Sequence, residues 1–168
     1  MKIFIDGSAG TTGLRIKDRL MKRSDVELIT LSEEQRKDTE SRKQALNSAQ
    51  VAFLCLPDAA AVEAVELVEN PDTVIIDTST AHRTSEGWAY GFPELSAEFE
   101  DKIKNSKRIA VPGCHAGGFI ALVYPLVEAG VLGNDALLSC YSLTGYSGGG
   151  KKMIAEYESE DKSPLLFA

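Results

Sequence analysis

Short runs of apolar residues alternate along the chain with stretches whose apolar positions recur every three to four residues. This pattern predicts strands at 2–6, 26–31, 51–56 and 73–77, with helices at about 12–23, about 36–47 and 58–69 between them. Alternation of this kind builds right-handed βαβ units, and so a parallel sheet covered by helices on both faces. The run Val51-Ala52-Phe53-Leu54-Cys55-Leu56 has no polar alternate position, as expected of a central strand. Pro57 and Asp58 end it and open a helix rich in Ala, Val, Glu and Leu.

After Asp77 the rhythm changes. Residues 78–95 are irregular and rich in Ser, Thr, Gly and aromatics, which is long for a loop in a compact domain and makes the segment a functional candidate. A helix at 96–104, a strand at 108–111 and a helix from about 115 to 129 follow. A strand at 136–143, glycines at 148–150 and a helix from 151 read as the first elements of a different unit. The expected fold class is therefore α/β: a doubly wound, mostly parallel sheet over residues 1–135, with 136–168 beginning a second, α+β domain.

A chain of 168 residues holds one full domain with a buried core, or one domain and the start of another. No apolar run approaches the roughly 18 to 20 residues of a membrane helix, so a membrane is not an expected partner. The net charge of −7, with no segment gathering Lys and Arg, argues against nucleic acid. Small molecules and other copies of the chain, a homo-oligomer, are the expected partners. Met1 to Gly7 enters a strand and a glycine turn directly, leaving no room for a secretory leader, so a cytoplasmic location is expected. Cys55, Cys114 and Cys140 are widely spaced and contain no Cys-x-x-Cys pair, which suggests neither a disulfide framework nor a metal site.

Gly7-Ser8-Ala9-Gly10-Thr11-Thr12-Gly13 lies between the first strand and the first helix. There, glycines let backbone approach a pyrophosphate and the helix N–H groups point at it, the arrangement of a Rossmann-like dinucleotide site. The spacing is G-x-x-G-x-x-G, looser than G-x-G-x-x-G, and gains its weight from the surrounding β-loop-α-β context. Strand two ends near Ser32, with Arg36 and Lys37 just beyond; a Ser followed by a basic pair suits the 2′-phosphate of NADP(H). Glu33 keeps NAD open, and Lys37 reads equally as part of a solvated charge run at a helix start.

Pro112-Gly113-Cys114-His115-Ala116-Gly117-Gly118 joins a strand to a helix and places Cys114 at or near the helix N-terminus. The macrodipole and free N–H groups there stabilise a thiolate, and could also receive the oxyanion formed when it attacks an acyl carbon. A small residue at a tight turn fits the same spacing. Cys55 and Cys140 fall in apolar strands and read as core. Adjacent residues on an opening helix point about 100° apart, so His115 is a poor partner for Cys114. His82, in the irregular segment, is the better candidate for substrate contact.

Seven segments in order give the chain a further likeness: Gly7 to Gly13, Arg36-Lys37-Asp38, Leu56-Pro57-Asp58, Asp77 to Arg83, Tyr90 to Leu95, Pro112-Gly113-Cys114 and Ser142 to Lys152. Over its whole length it resembles N-acetyl-gamma-glutamyl-phosphate reductase of the shorter sequence type, a relative of aspartate-semialdehyde dehydrogenase. The resemblance implies NADPH-dependent reduction of N-acetylglutamyl 5-phosphate to the 5-semialdehyde, a step of arginine biosynthesis, through a thioester on Cys114. It implies cofactor contacts from the Gly7 to Gly13 loop, Ser32, Arg36, Lys37, Pro57, Ser147 and Gly148, and contacts to the acyl phosphate from Ser79 and Arg83. The family's general acid/base histidine lies in a C-terminal half beyond residue 168, so this chain is expected to bind cofactor but to be poorly active alone. A related dehydrogenase acting on aspartyl or aminoadipyl phosphate, and a non-catalytic nucleotide-binding module, are the competing expectations.

Overall fold

The computed structural model describes residues 1–145, 148 and 150–159. Six strands form one sheet in the order β2-β1-β3-β4-β6-β5, every pair parallel. They are β1 (Lys2–Asp6), β2 (Glu27–Ile29), β3 (Val51–Leu54), β4 (Val74–Asp77), β5 (Ala89–Tyr90) and β6 (Arg108–Ala110). The helices are α1 (Thr11–Leu20), α2 (Thr39–Ser48), α3 (Asp58–Glu66), α4 (Ala97–Asn105), α5 (Cys114–Glu128) and α6 (Gly150–Glu158). The apolar run at 51–56 does form an interior strand, paired on both sides by β1 and β4.

The core lies under these central strands, where Phe4, Ala52, Leu54 and Ile75 meet Ala45, Leu46 and Ala49 of the α2 region and Ala64 of α3. Alanines on the inward face of both helices let the helix backbones lie close to the sheet. Burying such side chains contributes about 25 cal/mol for each Å² removed from water.

Three expectations are corrected. The helix expected at about 36–47 is a single 3₁₀ turn, Gln35–Lys37, followed by α2. The break falls at Asp38, whose backbone is extended and whose carboxylate accepts from the Ser41 N–H at 2.8 Å as an N-cap. The segment expected to be wholly irregular contains β5, which hydrogen-bonds to the outer edge of β6, and a 3₁₀ turn at Pro93–Leu95.

The strand expected at 136–143 does not form. A strand needs a neighbour to take its N–H and C=O groups. β2 and β5 form the two edges of this sheet, and 136–143 pairs with neither. Leu137, Tyr141 and Leu143 are left exposed, as is Cys140, which therefore is not a core residue.

Candidate functional site

The strand order reverses at β1: β2 lies on one side of it, and the chain then crosses over to place β3 on the other. At such a switch point the loops at the carboxyl ends of two adjacent strands diverge and leave a crevice, where ligands of open α/β sheets bind. Here a cavity of 540 Å³ fills that position. Its walls are Gly7, Ala9, Gly10, Thr11 and Thr12 after β1, Cys55, Leu56 and Pro57 after β3, and Thr78 after β4. Gly7 turns the chain with φ +81°, and a Cβ on it would lie well under 3.0 Å from the Cys55 carbonyl. Only glycine fits that bend, so the loop can press against the β3 end and keep the α1 N-terminus open to an anion.

On the adenosine side of such a site, a second recess is lined by Asp6, Gly7, Ser8, Ala9, Arg36 and Arg42. Ser32 shapes this corner by exchanging hydrogen bonds with Gln35 at 2.9 and 3.2 Å, which sets up the turn carrying Arg36. Arg42 reaches across from α2, and its Nε and Nη2 donate to Asp6 Oδ2 at 3.1 and 2.9 Å. Both side chains are nearly buried. Asp6 directly precedes the glycine loop, and Arg42 offsets a negative charge that would otherwise face bound phosphates at short range.

The second half of the site is a larger, adjoining cavity of 860 Å³. Cys114 lies on its wall as the first residue of α5, exposed, with Gly113 as the N-cap. Arg15, Arg19 and Arg83 also line it and, among the described residues, no carboxylate does, although the chain as a whole carries a charge of −7. Thr11, Thr12, Thr78 and Gly148 belong to both cavities, so the cysteine's cavity and the glycine-loop cavity share one wall. His115 Nδ1 is paired with the Ser142 hydroxyl.

Residues 2–105 match the family described as semialdehyde dehydrogenase, NAD binding domain. The chain belongs to that family. It is 53% identical over 167 residues to the N-acetyl-gamma-glutamyl-phosphate reductase of Chelativorans sp. (strain BNC1), covering 99% of this chain and 54% of that protein. It is 49% identical to N-acetyl-gamma-glutamyl-phosphate reductase 2 of Pseudomonas putida KT2440, covering 98% of this chain and 53% of that protein. The chain thus spans about half the length of the curated relatives it matches. Among solved structures, aspartate semialdehyde dehydrogenase from Francisella tularensis superposes with a TM-score of 0.65 at 16% identity, over 97% of this chain and 52% of that one. The aspartate semialdehyde dehydrogenase with NADP from Candida albicans gives a TM-score of 0.53 at 18% identity, over 76% of this chain and 46% of that one. At these identities the likeness establishes the fold, a Rossmann-like dinucleotide domain.

Within this semialdehyde dehydrogenase domain, the sequence-predicted residues fall into groups. Gly7, Ala9, Gly10, Thr11, Thr12, Pro57 and Gly148 line the glycine-loop cavity, and Ser8 and Arg36 line the recess beside it. Gly13 is buried in α1 behind the loop. Lys37 is exposed and lines none of these walls. Ser147 lies outside the described residues.

On the cysteine side, Cys114 and Arg83 line the same cavity. Ser79 is buried, its hydroxyl donating to Asp77 at 2.6 Å, and it sits behind the cavity wall. His82, expected at the substrate, is instead buried: its Nδ1 lies 2.7 Å from Asp77 Oδ2 and its ring stacks on Trp88. Arg15, Arg19 and Arg42 were missed. For Arg15 and Arg19 a signal existed, since a four-residue spacing puts both on one helix face. For Arg42, 36 residues from Asp6, there was none.

Proposed function

We propose that this chain is the cofactor-binding and nucleophile-bearing half of an NADPH-dependent N-acetyl-gamma-glutamyl-phosphate reductase of arginine biosynthesis, acting in the cytoplasm. The observation that carries the reading is the shared wall: Cys114 opens one cavity, the glycine loop opens the other, and Thr11, Thr12, Thr78 and Gly148 border both. A nucleophile and a hydride donor that must reach the same carbon need this adjacency. The relatives named above, about half of whose length this chain spans, support the acyl phosphate as substrate.

In this reading the Cys114 sulfur attacks the acyl carbon of N-acetylglutamyl 5-phosphate, the carbon–oxygen bond to the phosphoryl group breaks, and phosphate leaves. Free N–H groups at the start of α5 face the oxyanion. Arg83, with five donors in a planar fork, faces the phosphate or carboxylate of the substrate. The glycine loop would hold NADPH, with Arg36 the residue available to its 2′-phosphate, and the bound cofactor would supply the hydride that converts the thioester to the aldehyde with release of the Cys114 thiolate. Covalent capture divides one difficult reduction into two easier steps.

The test is a fluorescence titration of the chain with NADPH and NADH at fixed salt. NADPH should bind saturably and more tightly, and Arg36→Gln should weaken NADPH by about tenfold while leaving NADH nearly unchanged, the effect of losing one charge-assisted contact. Failure of both nucleotides to bind would sink the cofactor reading. Alkylation of Cys114 no faster than that of the exposed Cys140 would sink the nucleophile.

A further inference from the structure

Asp77, the last residue of β4, has a fully buried carboxylate. A buried carboxylate is tolerated only when donors converge on it. Three do: the Ser79 N–H at 2.9 Å, the Ser79 hydroxyl at 2.6 Å and His82 Nδ1 at 2.7 Å. Because a carboxylate oxygen accepts, Nδ1 is the protonated nitrogen of His82. To bring His82 back to Asp77 the chain curls between them, with the Ala81 N–H donating to the Ser79 hydroxyl oxygen at 3.2 Å, and a second turn follows in which the Ser85 N–H donates to the His82 carbonyl at 3.2 Å. The far face of the imidazole is sealed by Trp88, stacked at 4.1 Å between centroids with the planes 13° apart.

Arg83 is the next residue, and its orientation follows from that turn. Its Nε donates to the Val111 carbonyl at 3.0 Å and Nη2 to the Thr78 carbonyl at 3.3 Å. The Val111 N–H in turn donates to the Asp77 carbonyl at 2.7 Å. Asp77 therefore holds both sides of the arginine: its main chain fixes the strand end before Cys114, and its side chain fixes the turn before Arg83. Nη1 has neither carbonyl and lies 2.6 Å from where a Cβ on Gly113 would sit, one residue before Cys114. Gly113 leaves the space that the guanidinium occupies.

We infer that Asp77, His82 and Trp88 form a buried positioning unit that presents the free donors of Arg83 to an anion at Cys114, with His82 a positioning residue and not a substrate contact. This rests on the roles proposed above for Arg83 and Cys114. A unit that served stability alone would have no effect on how the cavity discriminates charge. One that aims Arg83 must have it.

The measurement is the rate of alkylation at Cys114, followed by peptide mass mapping, with anionic iodoacetate and with neutral iodoacetamide. The ratio of the two rates reads the positive potential at the sulfur and divides out general changes in thiol reactivity. Arg83→Gln should lower it about fivefold, the effect of one unit charge a few ångströms away in water. His82→Phe keeps a flat ring against Trp88 but removes the donor to Asp77. It should lower the ratio as far as Arg83→Gln, with the double variant no lower. His82→Asn, which restores a donor, should recover most of the ratio.

A parent-like ratio in folded His82→Phe, together with a lowered one in Arg83→Gln, would overturn the positioning unit and leave the role of Arg83 standing. A parent-like ratio in Arg83→Gln would overturn both, without touching the nucleotide titration that tests the cofactor site. Should His82→Phe not fold, Trp88→Leu removes the stack while sparing every donor. It should lower the ratio by about twofold or more, and no change there would equally overturn the unit.

Discussion

Cys55 and Cys114 show how far two thiols in neighbouring cavities can differ. Cys55 sits just past β3, half-buried beneath the glycine loop, and burial pushes its thiol up to about 11. A hydrogen bond with Thr78 opposes that shift, while the charges of Asp6 and Asp77 add to it. Cys55 should therefore stay protonated and unlabelled at pH 8, while exposed Cys114 and Cys140 react with iodoacetamide. A group held protonated by the fold contributes stability that is complete below its ordinary value of 9.0 and is lost as pH rises through about 11. Replacing Cys55 by Ala removes that contribution. Urea midpoints of the parent should fall more steeply between these two pH values than those of Cys55→Ala. Parallel curves would show that burial does not control this thiol.

At the scale of elements, Asn47 joins α2 to the chain entering β4. Its Nδ2 donates to the Leu67 carbonyl at 2.8 Å, and its Oδ1 accepts the Glu69 and Asn70 N–H groups at 2.7 Å each. Asn47→Ala strands these partners and should cost about 2 kcal/mol in urea unfolding. The Cys114 alkylation ratio should not change, since no hydrogen bond of Asn47 reaches the cavity. This linkage also illustrates what was legible in the sequence. Strands β1, β3 and β4 could be read because a parallel strand covered on both faces must be a short apolar run. The starts of α3 and α5 could be read because Pro57 and Gly113 punctuate them. The edge strand β5 could not, since two residues carry no periodicity and their pairing depends on β6, 20 residues away in register. The strand at 136–143 was read wrongly for the converse reason: its pattern is strand-like, but pattern cannot supply a partner. The positioning of Arg83 was equally hidden, because its holders Asp77, His82 and Val111 meet only through the turn.

Across the whole molecule, apolar surface is unevenly shared. The buried apolar side chains lie in the sheet, in α3 and in or beside α2, whereas α5 buries none of its residues despite its apolar run from Phe119 to Val127. Leu122 is 75% exposed, Val131 69% and Leu143 82%. Monomeric proteins rarely leave such surface uncovered over more than a few hundred Å². Copies of this chain should therefore self-associate through the region from α5 to residue 143. The net charge of −7 opposes that approach, and salt screens it, so association should strengthen with ionic strength while an ion-paired interface would weaken. Sedimentation velocity over a concentration series at low and high salt reads both effects. Leu122→Lys combined with Leu143→Lys should shift the chain toward monomer. A sedimentation coefficient independent of concentration and salt would mean that this surface does not drive association.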